Sequence, residues 1–247
     1  MSLPPRRAPI SRIETFGDAM IAVAATLLIM SSDPPREYGD LIANVYIFTP
    51  VALSFAALFY IWYIHTTLWR RFPLHDGLSL WLNGALLFFI VFLVYPLKFM
   101  ATTLLSLATS QAVPSLWLPG ELRHLFILFA IGWMIVFGLV ALLHYRAHVT
   151  RESLRLTPVE AYDAVTFSRH YAGFVVAGII SLLLAFARVG IDYALPVIAL
   201  ATLFAFAWLN NRARSPGRDV LATKVAQHPQ LADTMAIDTS TIRDALK

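Results

Sequence analysis

Six apolar runs separated by short polar segments organise this chain, at about 11–30, 45–69, 78–105, 122–144, 165–187 and 193–209. A helix needs about 20 apolar residues to cross a hydrocarbon core ~30 Å thick, so the pattern predicts six membrane helices. Breakers stand between them: Pro34 and Pro35, Arg70-Arg71, Pro114, Pro119 and Gly120, a charged linker at 144–163, Arg188-Val189-Gly190, and Asn210-Asn211-Arg212. Pro50 is placed in the first turns of the second run, where it is tolerated, and Pro96 and Lys98 fall late in the third. The proline-rich basic lead at 1–10 and the polar tail at 213–247 flank a six-helix domain at 11–212.

The first run, SRIETFGDAMIAVAATLLIM, departs from the others because Arg12, Glu14 and Asp18 stand at its mouth. Its unbroken apolar part, Ala19 to Met30, reaches only ~18 Å and cannot cross lipid alone. If the helix spans, Phe16-Gly17-Asp18 and Glu14 come to membrane depth, where an ionised carboxylate costs at least ~2.5–3.5 kcal/mol unless it meets partners or water. The helix is therefore expected inside a bundle. A cleaved signal peptide is the competing reading, and Asp18 against the apolar run and the poor cleavage site at Met30-Ser31-Ser32 speak against it.

Composition agrees with the spans. Of 247 residues 58% are apolar and 14% charged, with mean hydropathy +0.67, which places the chain among all-α integral membrane proteins. With no cysteine there is neither a disulfide framework nor a thiolate metal site. The net charge of +4 is topological, not a sign of a nucleic-acid partner: six spans put both ends on one face, and arginines concentrate there, so both termini are expected in the cytoplasm.

On a helix each residue turns ~100°, so Val23, Leu27 and Met30 share an arc of ~60° with Thr26 at its edge. Periodicity alone favours a packing seam for this stripe. The short span and its carboxylate turn the reading back toward a pore, with apolar rings that gate by dewetting beside a hydroxyl ring that faces a cation. Arg12, Asp18, His65 and Asn83 reach similar depth near the cytoplasmic side and can form a hydrogen-bonded cluster, as a structural lock or a proton relay. Trp62 and His65, three apart, share a helix face. His144 and His148 have the spacing of a metal pair, but a solvated helix end explains them better. No Thr-Val-Gly-Tyr-Gly filter, voltage-sensor arginine repeat, Walker loop or hydrolase motif occurs.

Arg12-x-x-x-Phe16-Gly17-Asp18-Ala19, followed by Val23-Ala24-Ala25-Thr26-Leu27-Leu28, resembles the opening of the transmembrane protein 175 family, the endosomal and lysosomal potassium channel and its bacterial relatives. Ser54-Phe55, Trp62-x-x-His65-Thr66, Leu80-Trp81-Leu82-Asn83 and Tyr95-Pro96 extend the resemblance over three spans. Gly17 replaces the serine of the family's Phe-Ser-Asp signature. The resemblance implies a homotetrameric, potassium-permeable channel of the bacterial inner membrane, with the first helix around a central pore. It also implies a constriction at Val23, Leu27 and Met30, wider than usual because Val23 is small, and a selectivity layer at Thr26. The polar network implied comprises Arg12, Phe16, Asp18, Trp62, His65 and Asn83, with lipid, potassium and sister copies as partners and no cofactor. Two other functions compete: a proton-coupled transporter using Asp18 and His65, and a redox enzyme binding haem through His65, His124, His144 or His170.

Overall fold

A computed structural model describes residues 12–31, 37–108 and 121–187. Within them the chain forms five helices: α1 Arg12–Met30, α2 Tyr38–Arg71, α3 Gly77–Ala108, α4 Glu121–Val149 and α5 Pro158–Ala187. All five are long and apolar enough to cross a membrane. In lipid the backbone must bond to itself, which is why apolar runs of this length resolve into helices. The sixth run predicted at 193–209, the lead at 1–10 and the tail at 213–247 lie outside the described residues.

Two boundaries move from their expected places. α2 starts at Tyr38, not near 45, so Pro50 lies well inside the helix; the Ser54 hydroxyl donates to the Pro50 carbonyl at 2.7 Å beside the break in the ladder. α5 starts at Pro158, a full two turns before the apolar run, because Thr157-Pro158-Val159-Glu160 is a capping box. The Thr157 amide donates to the Glu160 carboxylate at 2.8 Å and the Glu160 amide to the Thr157 hydroxyl at 3.3 Å, with proline at the first helical position. That four-residue signature is visible in the sequence and is the signal that hydropathy alone passes over. The linker it shortens is closed by Arg155 in the left-handed region at φ 49°.

α3 holds the centre, packed on α1, α2 and α4, and α4 and α5 form a tight antiparallel pair beyond it. An aromatic column fastens that pair: Phe137 stacks on Phe174 at 4.6 Å between centroids and meets Trp133 at 4.4 Å. α3 is capped by Asp76, whose carboxylate accepts from the Ser79 amide and hydroxyl and from Arg146 Nε at 3.1 Å on α4. Partial burial pushes the Asp76 carboxyl up, but the Ser79 hydrogen bonds and the Arg146 charge outweigh it and hold it below its ordinary range. With Arg71–Asp163 at 3.4 Å and Arg70–Glu14 at 3.1 Å, this pair makes one layer of ion pairs at the end of the bundle where α1 begins.

Candidate functional site around the first helix

α1 buries one face and leaves the other open. Glu14, Gly17, Ile21, Ala24 and Leu28, spaced by three or four, turn inward against α2 and α3. Phe16, Ala19, Ala22, Val23, Thr26, Ile29 and Met30 are exposed. Of the five spans α1 is the least covered, with 28% of its apolar window buried against 39–56% for the rest.

The open face sorts the predicted stripe. Val23 is 50% and Met30 74% exposed, separated by ~20° around the axis, and Thr26 stands beside them. Leu27 falls on the other flank, partly buried and packed against the core. The Thr26 hydroxyl donates to the Ala22 carbonyl at 2.9 Å. That commits its proton to the backbone and leaves the oxygen as an acceptor on the open face.

The inner half of α1 is tied to its neighbours through polar groups. Trp62 Nε1 donates to Asp18 Oδ1 at 2.8 Å, and Arg70 Nε to Glu14 Oε1 at 3.1 Å. His65 Nε2 lies 2.9 Å from Asn83 Oδ1, which also accepts from Trp69 Nε1 at 3.2 Å. Asp18, Trp62, His65 and Asn83 are thus brought to one junction of α1, α2 and α3, in two hydrogen-bonded groups. Arg12 and Phe16, expected with them, are exposed and stand outside both groups among the described residues. Glu14, Trp69 and Arg70 belong to the junction instead. Glu14 could have been found from its place one turn before Asp18 on the same inward face, opposite the arginines that end α2.

Gly17 explains how close the helices come. A Cβ built there would lie 2.2 Å from Cε1 and 3.0 Å from Nε2 of the His65 ring, so the imidazole occupies the space that any side chain at 17 needs. The ring is 1% exposed. With Nε2–H directed at the Asn83 oxygen, Nδ1 faces α1 as an acceptor without a partner.

The remaining histidines do not converge. His144 Nδ1 bonds the Val140 carbonyl at 2.8 Å and His148 Nδ1 the Ala161 carbonyl at 3.1 Å, so the two do not share a ligand position. Among the described residues no three His, Asp or Glu side chains are grouped to hold a metal ion.

Comparison with known proteins falls on the same helices. Residues 12–93, which are α1, α2 and most of α3, match the family model described as endosomal/lysosomal potassium channel TMEM175. A protein of Marivirga tractuosa named "Potassium channel" is 32% identical over 161 residues, 62% of this chain. The match spans 65% of that protein's length, just under two thirds. A crystal structure of a variant of the potassium channel MtTMEM175, bound to a nanobody fusion, superposes with a TM-score of 0.73 at 24% identity, over 92% of this chain and 97% of that one.

Proposed function

Since the chain belongs to the family of the endosomal/lysosomal potassium channel TMEM175, we propose that it forms a passive, potassium-permeable cation channel in the bacterial inner membrane, as a homotetramer whose four α1 helices surround the pore. The observation that carries this is the open face of α1. A helix whose apolar part spans only ~18 Å, with carboxylates at one end, is a poor lipid-facing element, yet α1 is the least covered of the five within one copy. Sister copies around an axis resolve that conflict.

In this reading Val23 and Met30 form apolar rings that close the path by excluding water. Leu27 supports the ring from its flank. Thr26 contributes an oxygen layer with its lone pairs turned inward, suited to a cation that has shed part of its hydration. The polar junction of Asp18, Trp62, His65 and Asn83 is a lock that sets the angle of α1 and takes no part in conduction. Both termini are cytoplasmic, so the Arg12 end of the pore faces inward. The transporter alternative finds less support, since a titrating carrier needs its carboxylate and histidine on the transport path, and Asp18 and His65 point into the junction with α2 and α3.

The test is potassium flux from purified protein in liposomes under a potassium gradient, with valinomycin-free controls. Flux without a coupled ion is expected, and absence of flux, or strict dependence on a second ion, overturns the proposal. Within that assay Val23→Ala raises the flux severalfold by widening the narrowest ring; an unchanged rate puts the constriction elsewhere.

A further inference from the structure

α1 ends without a charge of its own to meet its carbonyl end: no basic residue stands in its last turn. The exposed carbonyls of a helix C-terminus carry about half a negative charge. α3 supplies the missing cation. Lys98, two residues beyond Pro96 and within a span of mean hydropathy 2.2, places Nζ 2.8 Å from the Ser31 carbonyl and 2.9 Å from the Ser31 hydroxyl. Ser31 is itself fixed, its amide donating to the Leu27 carbonyl at 3.0 Å and its hydroxyl to the Leu28 carbonyl at 2.6 Å. An ammonium placed in a span this apolar costs at least ~2.5–3.5 kcal/mol if unmet, so the contact holds the end of α1 as firmly as it holds the lysine.

Met30, the last residue of α1 and 74% exposed, adjoins Ser31 on the open face. We propose that Lys98 fixes the outer end of the pore helix and that four copies of its ammonium set a positive potential at the outer mouth, limiting cation access from that side. The proposal rests on the pore reading given above. Two things follow from charge and geometry. The barrier is electrostatic, so it grows as salt is lowered and vanishes when the Debye length falls to ~3 Å at 1 M. It is also one-sided, because the Arg12 end of α1 lies at the opposite face.

The experiment is single-channel recording in planar bilayers with potassium chloride varied separately on each side. For the unaltered protein, conductance falls more steeply than bulk conductivity when the outer solution is diluted to ~20 mM, and not when the inner one is. Lys98→Gln raises conductance about twofold or more at low outer salt and leaves it unchanged at ~1 M, whereas Lys98→Arg, which keeps the charge, behaves as the parent. A Lys98→Gln to parent ratio independent of outer salt overturns the proposal, as does dilution acting equally from both sides. If Lys98→Gln does not assemble, the dilution series on the unaltered protein decides alone. A protein that conducts nothing under any condition refutes the pore reading itself, a different result from conduction indifferent to outer salt.

Discussion

Gly17→Ala destabilises the chain by about 1–3 kcal/mol, and Gly17→Ser, which restores the signature serine, by at least as much. The cause is the His65 ring. Carbon atoms rest ~3.5–4.0 Å apart, and a Cβ at 17 would stand 2.2 Å from Cε1. A surface side chain would swing away. His65 is buried and bonded to Asn83 at 2.9 Å, so relief needs either loss of that bond or separation of α1 from α2. The serine hydroxyl would gain a bond to Nδ1 only after such a shift. His65→Ala alone is also destabilising, because it opens a cavity beneath Gly17 and removes a donor from Asn83. Together the two changes are less harmful than their sum, since the new methyl enters the void, with a coupling of about 0.5–3 kcal/mol. Thermal unfolding of the purified variants in detergent checks this: the double variant should melt above the value that additivity of the two singles gives. Strict additivity would show that the ring and the glycine are not in contact.

Arg70→Ala is the second large effect, and its contrast with Glu14→Gln makes it informative. The Glu14 side chain is 6% exposed and the Arg70 side chain 60%. Removing the arginine strips a charged partner from a buried carboxylate that water cannot reach, a loss of about 1.5–3 kcal/mol. Removing the carboxylate's charge while keeping its shape leaves an arginine that is already mostly hydrated, and costs under about 1 kcal/mol. Glu14→Gln should therefore lower the melting temperature less than Arg70→Ala, and the double substitution should sit close to Glu14→Gln alone. Equal losses from the two single changes would mean that the carboxylate is solvated. Both changes act on the inner anchor of α1, so they are expected to lower the yield of assembled protein before they alter ion preference.

The membrane class and the first five helices were legible because lipid leaves the backbone few choices, so long apolar runs and their breakers translate directly into spans. The start of α5 was equally legible through Thr157 and Glu160, yet hydropathy concealed it, since a capping box is polar and precedes the apolar residues it serves. The extension of α2 to Tyr38 was not: Pro50 and the polar residues before it read as a boundary, and the helix continues through them.

The sequence by itself determined that α1 is too short and too acidic at its start to lie in lipid, and which of its residues fall within one arc. Only the tertiary structure decided which arc stays open, that Leu27 leans toward the core, that Glu14 takes the place expected for Arg12, and that Lys98 reaches Ser31 from 67 positions away. Periodicity fixes angles around one helix axis and carries no information about which neighbour meets which angle. That depends on contacts between residues far apart in the chain, such as His65 filling the space that Gly17 leaves, which no local pattern encodes.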